Sequence, residues 1–175
     1  MVVTIDAIVA VDFINVFVSG RMGSQKFQRT VSATKSLIEG SKKFTILVQD
    51  SHRPEDPEIS IWGPHAMEGS SEAETVPELI GYGPIIRKRT YDAFYGTELE
   101  ATLKNRGFKQ IAFCGIVTDI CVAHTVASAF FRGFSPVVPR ECTDTYSDDV
   151  KEKTLRYMEK NYGAKIISVG DIIGK

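Results

Sequence analysis

Apolar positions gather in six short runs: Ile5–Val11, Phe44–Val48, Ile85–Arg89, Gln110–Ile116, Pro136–Pro139 and Lys165–Val169. Most are continuous and β-branched rather than alternating, the pattern of strands covered on both faces. Between them apolar residues recur at helical spacing over Thr30–Lys42, Thr97–Arg106, Asp119–Arg132 and Asp148–Asn161. Gly107, Gly133 and Gly163 follow three of these stretches, where a helix end takes a residue of positive φ. Strand and helix in alternation predict βαβ units and hence an α/β fold: three layers, with helices on both faces of a six-stranded parallel, doubly wound, Rossmann-like sheet. No repeat or linker breaks the pattern, so a single domain over residues 1–175 is expected.

One segment departs from the rhythm. From Asp50 to Pro84 there is little periodicity, and five of the seven prolines fall there, with the single Trp62 and two of the three histidines. Long irregular segments in compact domains are usually functional.

Composition removes several classes of function. With 21 basic and 22 acidic side chains the net charge is −1, without the positive field that nucleic-acid binding needs. Three cysteines are too few for a disulfide framework and point to a reducing compartment. The apolar N-terminus lacks a basic leader and is broken by Asp6 and Asp12, and no uncharged run of about 18 residues suggests a membrane span. The cytoplasm is the default location. Neither a G-x-G-x-x-G nor a G-x-x-x-x-G-K-[ST] pattern follows any predicted strand, which weighs against a nucleotide-binding domain.

In open parallel sheets, ligands bind beyond the carboxyl ends of the strands. There the sequence supplies Asp12, then Asp50-Ser51-His52, then Lys88, then Gly115-Ile116-Val117-Thr118-Asp119 leading to Cys121. Singly, each has an ordinary reading: a turn aspartate, a solvated edge lysine, a small core cysteine. Together they place a carboxylate, an amine and a thiol on one rim. With Thr118 or Asp119 as helix cap, Cys121 falls in the first helical turn, where the helix dipole is expected to lower its pKa and free N–H groups could hold an oxyanion. Asp12 could accept the thiol proton and Lys88 could hold the resulting ion pair. Cys114 reads as packing, and Cys142, in a loop, as inert. His124 shares a helix face with Cys121, but its surroundings are so apolar that a structural histidine is the favoured reading.

Asp50, His52 and His65 form a second cluster, able to hold a divalent transition metal, with Glu58 as a candidate fourth ligand. The competing reading makes Asp50 and His52 turn residues and Glu55-Asp56-Pro57-Glu58 a solvated loop.

The chain resembles the isochorismatase-like cysteine hydrolases, and within them the nicotinamidase branch. The resemblance spans nearly the whole chain and rests on Val11-Asp12-Phe13-Ile14-Asn15-Val16-Phe17, Asp50-Ser51-His52, Trp62-Gly63-Pro64-His65, Lys88 with Tyr91 and Tyr95, and Gly115-Ile116-Val117-Thr118-Asp119-Ile120-Cys121-Val122. It implies a catalytic triad of Asp12, Lys88 and Cys121. It implies a metal held by Asp50, His52 and His65 with Glu58, zinc first and manganese or iron as alternatives. It implies a cis peptide before Val117, so that the Val117 and Cys121 N–H groups form the oxyanion hole, and it implies a pocket for a flat substrate lined by Phe17, Trp62 and Tyr95 with Asn15 nearby. The sequence departs from the family pattern at Val117, where Thr or Ala is usual, at Glu58, where some relatives have His, and at Arg89 after Lys88; these bear on the substrate.

The expected activity is hydrolysis of a small carboxamide through a Cys121 thioester, nicotinamide to nicotinate and ammonia in the first instance. A carbamoyl substrate such as N-carbamoylsarcosine is the alternative, in a branch that the resemblance implies lacks the metal. A noncatalytic interaction module on the same scaffold is the alternative from another class. The partners expected are a small-molecule amide and further copies of the chain, with Phe130 and Phe131 in core or subunit contact.

Overall fold

The computed structural model describes residues 2–174. Seven strands, β1 (Ala7–Val11), β2 (Phe44–Asp50), β3 (Ile85–Lys88), β4 (Gln110–Ile116), β5 (Ser135–Pro139), β6 (Thr143–Asp144) and β7 (Lys165–Ile167), form one parallel sheet. Its order is β3-β2-β1-β4-β5-β7, with the two-residue β6 alongside the end of β4. The central β1 is buried at every position because it is covered on both faces. Its residues alternate between two apolar clusters. Ile8 and Ala10 pack with Phe27, Val31 and Leu37 of α2 (Gln25–Ser41) and Ile172 of α7 (Val169–Ile173). Ala7, Val9 and Val11 pack with Leu103 of α4 (Leu99–Lys104), Val126 of α5 (Ala123–Phe131) and Leu155 of α6 (Asp148–Tyr162). This is the three-layer α/β/α arrangement that the alternation predicts.

Several boundaries differ from the periodicity. Helix α2 begins at Gln25 rather than Thr30, since burying Phe27 rewards an extra turn. The last strand stops at Ile167, because Ser168 and Asp171 form a reciprocal capping box that starts α7. The irregular segment is also more ordered than its composition suggests. It contains α3 (Pro57–Trp62), opened by a proline in its first turn, and two single 3₁₀ turns at Ser71–Ala73 and Pro77–Leu79. Its far end is pinned to the sheet by Gln49, whose side chain donates to the Ala73 carbonyl and accepts from the Thr75 hydroxyl. Asn15, at the start of α1 (Asn15–Val18), donates to the Ser71 carbonyl at 2.9 Å.

Phe130 and Phe131 lie on the surface, 45% and 72% exposed, so the core half of their expectation does not hold. No helix among the described residues is long and apolar enough to cross a membrane.

Candidate active site

The chain visits β1, β2 and β3 outward in one direction, then returns to β4 on the other side of β1. That reversal opens a crevice at the carboxyl ends of β1 and β4. Asp12 follows β1, Asp50 ends β2, Lys88 ends β3, and Cys121 follows β4. The register sets Asp50 directly opposite Lys88. At the end of β4, Gly115 has φ +152°, and a Cβ there would sit 2.4 Å from the Val11 carbonyl oxygen. Only glycine lets β4 close onto β1 so near Asp12.

Four reactive side chains meet in this crevice. The Lys88 ammonium, on an edge strand yet only 1% exposed, lies 2.7 Å from Asp12 Oδ2 and 2.5 Å from Asp50 Oδ1. Its Nζ is 3.8 Å from Cys121 Sγ. Asp12, itself at φ +59°, accepts the Asp50 N–H at 2.8 Å through Oδ1. Ligating atoms of Asp12, Asp50 and Cys121 lie within 4.8 Å of one another. The ordinary reading of Lys88 as a solvated edge charge is therefore excluded.

One buried ammonium serves two buried carboxylates. Burial, then the Asp50 charge, lift the Asp12 carboxyl to about 6, against the pull of Lys88. Burial also opposes charge on Asp50, but Lys88 and His52 outweigh it and hold its pKa below the usual value. Lys88 is desolvated too, yet Asp12 and Asp50 raise it well above the usual lysine range. The Cys121 thiol corrects an expectation: burial pushes it well above the usual cysteine value, Lys88 pulls it back, and Asp12 and Asp50 push it up again. These influences together favour the thiol over the thiolate. The helix-dipole argument fails because two neighbouring anions and desolvation outweigh a partial charge.

Cys121 does lie in a first turn. It sits in a wide π-type turn, Thr118–Val122, that leads into α5, and the Val122 N–H reaches back five residues to the Val117 carbonyl at 3.3 Å. The cap residue is Val117, not Thr118 or Asp119; the Thr118 hydroxyl is engaged instead with that of Thr143 at 2.8 Å. The Ile116–Val117 peptide is cis. His124 is exposed, its Nδ1 is 2.6 Å from the Ile120 carbonyl, and its ring stands against Tyr91. It does not line the cavity at Cys121. Cys114 and Cys142 are both buried, Cys142 in the short turn Arg140–Cys142.

The second cluster also assembles. Ligating atoms of Asp50, His52, Glu58 and His65 fall within 4.8 Å of one another, all buried. Pairing of the chain beyond β2 creates it: the His52 N–H donates to the Ala66 carbonyl at 2.9 Å and the Glu68 N–H to the His52 carbonyl at 2.8 Å. This lays His65 beside His52, with ring centroids 4.7 Å apart. Glu58 enters from the first turn of α3. His65 Nδ1 is 2.8 Å from the Gly63 carbonyl, which leaves its Nε2 free. His52 Nε2 and Glu58 Oε1 are buried with no hydrogen-bond partner among the described residues. Burial, then the Asp50 charge, raise the Glu58 carboxyl. Two imidazole nitrogens and two carboxylates short of positive charge are a donor set that fits a divalent cation.

Both clusters open on one cavity of about 440 Å³, mouth included. Phe17, Trp62, Tyr91 and Tyr146 supply aromatic walls, and Asp50, Glu58, His65, Val117 and Cys121 also line it. Phe17 and Trp62, which the resemblance assigns to a substrate pocket, both line it. Tyr95 does not: it is 70% exposed and faces a separate surface groove with Arg87 and Arg89. Tyr91 takes its place, its hydroxyl accepting the Trp62 indole N–H at 2.9 Å. Asn15 does not line the cavity; its amide anchors the loop at Ser71. Met22, Ile120 and Tyr146 were missed, as no local pattern distinguishes them from core.

Comparison with known proteins agrees with this fold. A family model described as Isochorismatase domain matches residues 6–171. The isochorismatase family protein PncA of Bacillus subtilis (strain 168) is 27% identical over 179 aligned positions, covering 91% of this chain and 97% of its own. The N-carbamoylsarcosine amidase of Thermoplasma acidophilum superposes with a TM-score of 0.86 at 32% identity, over 93% of this chain and 95% of that one. The nicotinamidase PncA of Bacillus subtilis superposes with a TM-score of 0.81 at 26% identity, over 93% and 98%.

Proposed function

The chain belongs to the isochorismatase family, whose members are hydrolases, and from that premise we propose that it is a cysteine-dependent amidase for a small, uncharged, flat carboxamide, nicotinamide foremost. The observation that carries the reading is the meeting of buried Asp12 and Lys88 with Cys121, whose side chain lines a cavity with aromatic sides.

In this reading Asp12 removes the Cys121 proton as the sulfur attacks the amide carbonyl. Lys88 stays charged and stabilises the anions on either side of the transfer. The N–H groups of Val117 and Cys121 receive the oxyanion of the tetrahedral intermediate. Asp12 gives its proton to the departing ammonia, leaving a Cys121 thioester. Water, deprotonated by Asp12, then releases the carboxylic acid and restores the thiol. A raised Asp12 carboxyl suits both directions of transfer near neutrality. Asp50, His52, Glu58 and His65 would hold a divalent cation, zinc foremost, which supplies a Lewis acid at the cavity wall. The aromatic residues orient the flat ring and exclude water around the sulfur.

N-carbamoylsarcosine is the second reading, favoured by the 32% identity with the Thermoplasma acidophilum enzyme. That substrate carries a carboxylate. Among the described residues the cavity lining has no lysine or arginine and already holds Asp50 and Glu58, which supports the uncharged amide. Ammonia release measured with nicotinamide, pyrazinamide and N-carbamoylsarcosine, with and without chelator, separates the two. Turnover of nicotinamide that Cys121→Ala abolishes and Cys142→Ala leaves intact is expected. Near-normal turnover by Cys121→Ala would falsify the mechanism, and a clear preference for N-carbamoylsarcosine would reverse the substrate order.

A further inference from the structure

We propose that Asp56, gripped by Arg89, is a positioning residue that fixes the His52 ring for metal binding. The inference rests on the metal reading above. A neutral imidazole has one N–H and one lone pair, so the nitrogen that donates determines which nitrogen can ligate. His52 Nδ1 lies 3.2 Å from Asp56 Oδ2. A carboxylate only accepts, so the proton belongs on Nδ1 and the lone pair on Nε2. That Nε2 faces Asp50 and Glu58 at 3.5 and 3.6 Å and has no hydrogen-bond partner among the described residues.

Asp56 is itself held from several directions. It is buried, its Oδ2 accepts the Arg53 N–H at 2.9 Å, and Arg89 Nε lies 2.9 Å from its Oδ1 and 3.2 Å from its Oδ2 while Arg89 Nη2 also contacts Oδ1. Such a forked guanidinium contact fixes the carboxylate plane as well as its charge. Arg89 immediately follows Lys88, so one strand end delivers an ammonium to Asp12 and a guanidinium to Asp56. Asp56 also precedes α3, the helix that brings in Glu58 and Trp62, but its side chain makes no capping bond to that helix. The carboxylate is committed to His52, Arg53 and Arg89. His65 has only the Gly63 carbonyl behind it, at 2.8 Å. A carboxylate behind an imidazole makes it the stronger donor, so His52 is the ligand whose strength this chain sets.

The test measures zinc affinity by competition with a chromophoric chelator, for wild type, Asp56→Asn, Arg89→Met and Arg89→Lys. Visible spectra of the cobalt-substituted proteins and urea unfolding of the metal-free proteins accompany it. Asp56→Asn is expected to weaken zinc by about 10–100-fold and to shift the cobalt bands. Arg89→Met is expected to weaken it less, with Arg89→Lys recovering part. A change in metal-free unfolding with zinc affinity within about threefold of wild type overturns the proposal, as the pair would then be structural only. Zinc binding by wild type with unaltered binding by Asp56→Asn defeats this inference alone. Absence of zinc binding by wild type defeats the metal reading and this inference with it.

Discussion

Replacing Lys88 by Met removes the only ammonium between two buried carboxylates while keeping the length of the side chain. In the wild type Lys88 lies 2.7 Å from Asp12 and 2.5 Å from Asp50, all three fully or almost fully buried. Removing one partner of a buried ion pair costs about 3–5 kcal/mol, because the other charge remains desolvated and unpaired. Here two charges are orphaned, so the upper part of that range is expected near pH 8. For a chain of 175 residues this lowers the melting temperature by roughly 8–20 °C. The sign of the pH dependence follows from Asp12. Its unfolded carboxyl titrates near 3.8 and its folded one at about 6, so the fold loses stability as pH rises between those values. Without Lys88 the folded carboxyls are pushed higher still, and the loss extends to higher pH. The deficit of Lys88→Met should therefore shrink on acidification to pH 5, where both carboxylates can take up protons. Adding Asp12→Asn should return part of the loss at pH 8. Urea unfolding of chelator-treated protein at the two pH values is the assay. A variant within about 1 kcal/mol of wild type at pH 8, or a deficit that grows on acidification, refutes the charge accounting.

With Asp12 as the base, kcat/KM falls about tenfold per unit of pH below its carboxyl value of about 6, and a profile flat down to pH 5 would remove it from that role. Gly115→Ala adds a Cβ 2.4 Å from the Val11 carbonyl at φ +152°; overpacking and backbone strain each cost about 1–3 kcal/mol, so a loss of at least about 2 kcal/mol in chemical unfolding is expected, with a sharp fall in kcat. Wild-type stability for this variant shows that the close approach is not required. Tyr91→Ala raises KM by removing a cavity wall and the partner of the Trp62 indole, whereas Tyr95→Ala leaves steady-state kinetics within about twofold. The reverse ranking restores Tyr95 to the pocket.

The sheet was legible because its central strands are continuous β-branched runs, and burial on both faces needs little beyond that pattern. The order of Asp12, Asp50, Lys88 and Cys121 along the chain was likewise readable, since parallel strands put successive carboxyl ends on one rim. What escaped notice depends on three-dimensional surroundings. Helix α3 is six residues long, too short for a periodic signal, so the acidic stretch that runs into its first turn allowed a solvated-loop reading although Asp56 and Glu58 are buried. Tyr91 and Tyr95 are equally plausible in sequence; the turn after β3 aims one at Trp62 and the other at solvent. The thiol's raised pKa depends on how many anions surround it, and the sequence does not say how far apart they lie.

Strand β3 is four residues long, hydrogen-bonded to β2 alone, and forms the outer margin of the sheet. Yet it carries both Lys88 and, one residue on, Arg89. Short margins fray at a fraction of the free energy of global unfolding. Such fraying would withdraw the ammonium from Asp12 and the guanidinium from Asp56 in one motion while β1 and β4 stay paired. Mild denaturant should then extinguish turnover and loosen the metal before the bulk of the backbone amides exchange with solvent, with Ile86 and Lys88 among the early exchangers.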